Sequence, residues 1–356
     1  LSVDGRHASR VAAGPDQIDG GLGSGGSGDG PGVGVGGCGS GGAGPGGVGG
    51  DGVGWGFPAI GTVTLFPGSP RRMLRSVGDL DSKTFLITGA NTGIGRATAQ
   101  SLAARGARLF LAGRSEAKTR PVMNEIASQT GNDRLEFLAL DLGNLDSVGA
   151  CAEAFLQRGE PLHVLINNAG MAGRRGTTDS GFELAFGTNY VGPYLFTSLL
   201  LDRLKESAPA RVVNVASEAH YRVDGIDFEA VREPTKTRTG FHEYSVSKLA
   251  NVLHAQELAR RLDGNGVTTY SLHPGVIASD IWRSVPWPIR PLMKLRMRSP
   301  EDGSRTSLYC ATSPDVAQDS GDYYEDAQRK EPGPAATPQL AAELWERTTD
   351  WLGSRP

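Results

Sequence analysis

The sequence predicts a doubly wound α/β fold, with a parallel sheet of about seven strands between two helical layers in one domain. Three observations predict it. From Lys83 onward, short apolar runs alternate with longer stretches of helical spacing. The runs are almost continuously apolar, as strands covered on both faces must be. A glycine-rich turn, Thr88-Gly89-Ala90-Asn91-Thr92-Gly93-Ile94-Gly95, separates the first run from the first helical pattern.

The elements follow in order. Thr84–Thr88 is the first strand, and Arg96–Ala104 has helical spacing behind the glycine turn. Arg108–Ala112 is the second strand and Lys118–Thr130 the next helix. Leu135–Leu140 is the third strand, ending at Asp141, and Ser147–Gln157 is helical. His163–Ile166 is the fourth strand, followed by a long helical pattern over Phe182–Leu204. Arg211–Val215, the helix Tyr244–Leu262 and the strand Thr268–Leu272 continue the alternation, and a seventh strand is expected near Gly321–Tyr324. Strands separated by helices imply right-handed parallel crossovers.

Residues 1–72 stand apart. Residues 1–50 hold 21 glycines and few large apolar side chains, too little to offset ordering entropy, and disorder is expected there. The first methionine is Met73, about ten residues before the first strand, so the biological start is expected at or near it. Residues 73–356 then form the single domain. A net charge of -3 leaves no basic surplus for nucleic acid. Cys38, Cys151 and Cys310 are widely spaced, with no Cys-x-x-Cys pair or Cys/His cluster, so neither a disulfide framework nor a metal site is indicated. No apolar run reaches the ~18 residues of a membrane span, and no secretory signal opens the chain. A cytoplasmic location is expected.

The glycine turn carries the first functional signal. Gly89, Gly93 and Gly95 permit a tight turn and close approach to a pyrophosphate, and the following helix offers unpaired N–H groups to it. Asn91, Thr92 and Ile94 complete this phosphate loop of a Rossmann-type fold. After the second strand, where NAD-specific folds carry an acid, the sequence reads Gly113-Arg114-Ser115. The Arg114 guanidinium suits a 2′-phosphate, so NADP(H) is expected over NAD(H). Arg96, a cation in the first turn of a helix, points the same way. Asp141-Leu142 sits where a carboxylate can bond the adenine amine; the other reading of Asp141 is a cap for the next helix. Asn167-Asn168-Ala169-Gly170 closes the fourth strand, where Asn168, Ala169 and Gly170 can line the cofactor ribose and brace the sheet end.

The second signal is Tyr244-Ser245-Val246-Ser247-Lys248, with Ser217 lying 27 residues before the tyrosine. Carbonyl reduction needs a hydride donor and an acid for the developing alkoxide. A tyrosine of pKa about 10 suits that role only if a neighbour favours its phenolate. The i,i+4 spacing places Lys248 on the same helix face, where it lowers that pKa and reaches the nicotinamide ribose. Ser217 follows a parallel strand, on the ligand side of the sheet, and its hydroxyl can bond the substrate oxygen.

These residues resemble the short-chain dehydrogenase/reductase family from about Lys83 to the C-terminus. Thr88–Gly95 is similar to its phosphate loop and Asn167–Gly170 to its Asn-Asn-Ala-Gly motif. The resemblance implies that Asn189, Ser217, Tyr244 and Lys248 form a catalytic tetrad, the Asn189 carbonyl holding a water beside Lys248. It also implies cofactor contacts from Pro274, Gly275, Val276 and Ser279. The stretches Val212–His220 and His273–Val276 resemble the retinol dehydrogenase-like reductases, which implies NADP(H) use. Ala216 and Gly192-Pro193 depart from that pattern. Family likeness further implies a homodimer or homotetramer paired through Tyr194–Leu204 and Tyr244–Leu262, and a substrate lid over 279–299. The lid's Trp282, Trp287, Leu292 and Met293 suggest a hydrophobic aldehyde, ketone or retinoid-like substrate. Its interleaved Arg and Lys residues suit peripheral contact with an acidic membrane as the other reading. His220 and His242 are expected as loop or pocket-wall residues. The competing functions are an NADP(H)-binding sensor or scaffold with little catalysis and, more distantly, a sugar-nucleotide epimerase.

Overall fold

The computed structural model describes residues 79–275 and 298–353, which belong to one compact unit, Arg71–Pro356. The glycine-rich segment, Val276, Ser279 and the expected lid through residue 297 lie outside the described residues.

Eight strands form one sheet in the order β3-β2-β1-β4-β5-β6-β7-β8. They are β1 Thr84–Thr88, β2 Arg108–Gly113, β3 Leu135–Ala139, β4 Val164–Asn167, β5 Ala210–Val215, β6 Val267–His273, β7 Asp322–Glu325 and β8 Gln328–Lys330. The first seven are parallel. β8 is an antiparallel edge strand beyond the seven expected, paired to β7 through Glu325↔Gln328. Its three residues are all exposed and polar, so no apolar signal announces it. Asp326 and Ala327, at φ 51° and 57°, make the two-residue turn whose twist suits a hairpin.

Successive side chains of β1 enter different cores. Phe85 and Ile87 join one cluster with Leu102, Leu109, Ile126 and Tyr270, whereas Leu86 joins Phe110, Phe155, Phe196 and Leu249 on the other face. Helices α1 Gly93–Ala104, α2 Glu116–Thr130 and α7 Pro300–Thr312 cover the first face. Helices α3 Leu145–Leu156, α5 Gly192–Glu206 and α6 Phe241–Arg261 cover the second. The Phe155 ring meets Phe110 edge-on at 4.9 Å and is fully buried. Phe155→Ala is expected to cost about 3–5 kcal/mol of stability, read from the denaturant midpoint.

The expected long helix over Phe182–Leu204 is broken. It becomes a single turn, α4 Leu184–Phe186, a π-helical turn Gly187–Val191, and then α5. The C-terminal helix α8, Pro338–Leu352, begins with Thr337 capping Leu340 N and packs on α5 and α6. Trp345 meets Tyr194 at 4.9 Å, and the Tyr194 hydroxyl lies 2.9 Å from Thr349 Oγ1. The helices expected to pair subunits are therefore partly covered by this chain's own α8, and pairing there must accommodate or displace it. No described helix is long and apolar enough to cross a membrane.

From β1 the chain winds outward to β2 and β3, and from β4 it winds the other way through β5 to β7. The strand order reverses between β1 and β4. Their carboxyl ends bound the crevice where such sheets take ligands.

Candidate active site

The glycine turn lies at the end of β1, and its glycines are required by close packing. Gly89 has φ 70°, and a Cβ there would stand 2.9 Å from Ala169 Cα. A Cβ on Gly95 would stand 2.5 Å from both Gly89 O and Asn168 Nδ2. Asn168 donates through Nδ2 to Thr88 O at 2.8 Å and Gly89 O at 3.2 Å, and its backbone N–H donates to Thr88 Oγ1 at 3.1 Å. Ala169 N–H shares that hydroxyl at 2.9 Å. Asn168 and Ala169 thus brace the loop from the end of β4. Thr92 stands at the N-cap of α1 without a side-chain cap bond, and no acid occupies the first turn. The positive end of α1 is presented, with a backbone cradle that a side chain would fill, which fits a phosphate group. Asn91 and Ile94 are half-buried in the same turn.

Arg114 is exposed at the end of β2 and makes no ion pair among the described residues. Arg96 instead pairs with Glu125 of α2 at 2.5 Å, so its place in the first turn is explained without an anion at the loop. Asp141 does not cap α3. Asn144 does, accepting from Ser147 N at 3.0 Å, while Asp141 Oδ1 closes a turn by accepting from Gly143 N at 3.0 Å. Leu142 buries its side chain in the core. Its carbonyl crowds Gly192, where a Cβ would sit 2.3 Å away, which accounts for glycine in Gly192-Pro193.

The other end of the crevice gathers groups from α6, the π-helical turn, the end of β5 and the loop after β4. Tyr244 and Lys248 lie on α6, with Lys248 Nζ 5.7 Å from the tyrosine ring centre. Lys248 Nζ donates to Val215 O, the last residue of β5, at 2.7 Å. A Cβ on Gly170 would lie 3.4 Å from Lys248 Nζ and 3.5 Å from Asn189 Oδ1, so Gly170 leaves the gap between these two side chains open. Asn189 occupies the π-helical turn, a deviation that often marks functional sites. Its Nδ2 donates to Met171 O at 3.0 Å and Ser247 Oγ at 2.9 Å, and its Oδ1 accepts from Met171 N at 2.8 Å. Ser247 Oγ in turn donates to Tyr244 O at 2.7 Å. The Asn189 side chain therefore ties the loop after β4 to α6. Met171, Ser247 and the Val215 carbonyl were missed by sequence reasoning, since residue type singles out neither a backbone partner nor a serine that braces an amide.

Ser217 follows β5, with φ −169° and ψ 153°. Its hydroxyl accepts from Ala219 N at 3.2 Å, and a side-chain hydrogen bond links it to the Tyr244 phenol. Burial pushes the Tyr244 phenol above its usual range; the Ser217 hydroxyl acts the other way, and the Glu218 carboxylate adds to the rise. Burial pushes Lys248 down to about 7. Desolvation is the first cause in both groups. His242 is exposed on the first turn of α6. Pro274 and Gly275, the latter at φ 90°, leave the end of β6. No described group of three or more His, Cys, Asp or Glu residues could hold a metal. A separate cavity of about 290 Å³ lies near Asn144, Asp179 and Trp351, and it is lined by none of Asn189, Ser217, Tyr244, Lys248 or the glycine turn.

The chain matches known proteins over this same region. Residues 83–287 match the family model described as short chain dehydrogenase. Human retinol dehydrogenase 12 is 44% identical over 280 residues, covering 78% of this chain and 88% of that protein. Dehydrogenase/reductase SDR family member 13 of Bos taurus is 43% identical over 289 residues, covering 79% and 76%. Among solved structures, an uncharacterized protein from Mycobacterium paratuberculosis superposes with a TM-score of 0.60 at 31% identity, over 77% of this chain and 95% of that one.

Proposed function

Because the chain belongs to the short-chain dehydrogenase/reductase family, whose members act on CH–OH or C=O groups with a nicotinamide cofactor, we propose that it is an NADPH-dependent reductase of hydrophobic carbonyl compounds. The observation that carries this reading is the convergence of Ser217, Tyr244, Lys248 and Asn189 beside a glycine loop shaped for phosphate. When bound, the nicotinamide supplies the hydride. Ser217 orients the carbonyl oxygen through its hydroxyl. Tyr244 donates the proton: a phenol held above its usual pKa is protonated at neutral pH, the state that an acid requires. Lys248 steadies the charge that develops on the phenolate and binds the nicotinamide ribose. Asn189 holds the loop after β4 against α6, keeping Gly170 and Lys248 in register.

Gly89, Asn91, Thr92, Gly93, Ile94 and Gly95 receive the pyrophosphate, and Asn168, Ala169 and Gly170 form the floor beside them. Pro274 and Gly275 continue that floor from β6. Asp141 offers its second carboxylate oxygen to the adenine side. Similarity to human retinol dehydrogenases 11 and 12 supports a long apolar substrate such as a retinoid.

The cofactor preference rests on Arg114, exposed where a 2′-phosphate would lie and paired with no described acid. Arg114→Asp is expected to lower kcat/KM for NADPH about 10- to 100-fold while sparing NADH, since a carboxylate repels the phosphate and bonds ribose hydroxyls. Steady-state assays with both cofactors check it. An unchanged NADPH-to-NADH ratio would show that Arg114 has no part in the choice.

A further inference from the structure

We propose that His220 is a positioning residue for this reaction; the inference rests on the reading of Ser217 as the group that orients the carbonyl. His220 lies in the short 3-10 turn Glu218–Arg222 that follows Ser217, and its side chain is fully buried. Its Nδ1 is 2.6 Å from Ser217 O, and its Nε2 accepts from Gly333 N at 2.9 Å. A ring nitrogen that accepts from an amide carries no proton, so the proton sits on Nδ1 and is donated to the Ser217 carbonyl. The imidazole is neutral, in one tautomer, with both nitrogens used. Burial holds it in that form.

The ring is fixed from its faces as well. It lies tilted against Tyr221, with ring centres 4.0 Å apart, and meets Tyr323 of β7 edge-on at 4.8 Å. The Tyr221 hydroxyl donates to Glu331 O at 2.6 Å. The turn after Ser217 is thus tied to residues 331–333 at two points, across more than a hundred residues of sequence. Ser217 Oγ takes its orientation from Ala219 N in that same turn. Removing the imidazole deprives the Ser217 carbonyl of one of its two bonds, the other coming from His220 N at 3.2 Å. It also leaves a buried Gly333 N–H without an acceptor. No hydrogen bond among the described residues runs from His220 to Lys248 or to the glycine loop. Loss of the ring should therefore disturb the serine and spare the cofactor.

The test uses the full chain, with NADPH and whichever aldehyde the parent turns over fastest in a panel of retinal and straight-chain aldehydes. His220→Ala, His220→Leu, His220→Asn and Ser217→Ala are compared, with kcat normalised to the folded fraction by NADPH titration. His220→Ala and His220→Leu should lower kcat about 10- to 100-fold, the scale of a small misplacement of a reacting group, with NADPH affinity unchanged. His220→Asn, which returns a donor toward the Ser217 carbonyl, should recover most of the loss. Three results would each overturn the inference: kcat within about twofold of the parent in the bond-free variants, no advantage of Asn over Leu, or kcat and NADPH affinity falling together. Should the alanine variant not fold, the Asn–Leu comparison decides alone. An inactive Ser217→Ala beside a fully active His220→Leu overturns this inference only. A fully active Ser217→Ala overturns the reading of Ser217 and this inference with it.

Discussion

Tyr244→Phe is expected to remove nearly all carbonyl reduction while leaving NADPH bound. The substitution deletes only the phenolic oxygen. The ring keeps its slot on α6, 5.9 Å from Phe241, so the fold loses little. On the proposed mechanism what is lost is the proton donor, and a positioned general acid is worth about 10²- to 10⁴-fold in rate. The expected kcat is lower by that factor, with the NADPH Kd from fluorescence titration within about twofold. A parental kcat in this variant would exclude Tyr244 as the acid. A lost kcat accompanied by lost NADPH binding would mean instead that the tyrosine mainly builds the cofactor site.

Lys248→Met has the next largest expected effect, and it acts on two quantities together. A charge 5.7 Å from the tyrosine ring interacts by about 3 kcal/mol at an effective dielectric of 20, roughly 100-fold in rate. Loss of the ribose contact should also raise KM for NADPH. The buried lysine adds a pH signature. With a pKa of about 7, it is charged below that pH and neutral above it. If the charged form is required, kcat/KM for NADPH falls as pH rises through about 7, because that ratio reports the free enzyme. The limb in kcat should lie higher, since the anionic cofactor favours the ammonium. In Lys248→Met the limb near pH 7 should vanish. A parental limb in that variant would assign it to another group.

The parts of the fold legible in the sequence were those with an apolar signal. β1, β2, β4 and β5 are almost wholly buried, so each reads as an apolar run. β8 has no such signal: Gln328, Arg329 and Lys330 pair through backbone alone on an open edge. The π-helical turn at Gly187–Val191 was equally hidden. One extra residue in a helix shifts the apolar period too little to be seen against a twenty-residue pattern.

At the site, residue types were legible and their environments were not. The i,i+4 spacing put Tyr244 and Lys248 on one helix face, but spacing does not report burial. Burial gives both groups shifts away from their charged forms, Tyr244 upward and Lys248 downward. Asp141 was read as a candidate cap for the next helix, whereas Asn144 caps α3 and Asp141 closes the turn before it. Arg96 looked like a cation awaiting a phosphate, yet its partner, Glu125, lies on the neighbouring helix. His220 depends on Gly333, a residue brought to it by the last crossover and the β7–β8 hairpin. Contacts of that kind are tertiary and leave no local pattern.

The central claim is hydride transfer from NADPH to a carbonyl under the control of Tyr244. It is tested most directly with NADPH bearing two deuterium atoms at nicotinamide C4, incubated with the full chain and a panel of retinal and straight-chain aldehydes. Mass spectrometry of the alcohol should find one deuterium on the former carbonyl carbon, with the parent and not with Tyr244→Phe. NADPH bound with no labelled alcohol from any aldehyde, or label transferred equally by Tyr244→Phe, would contradict it.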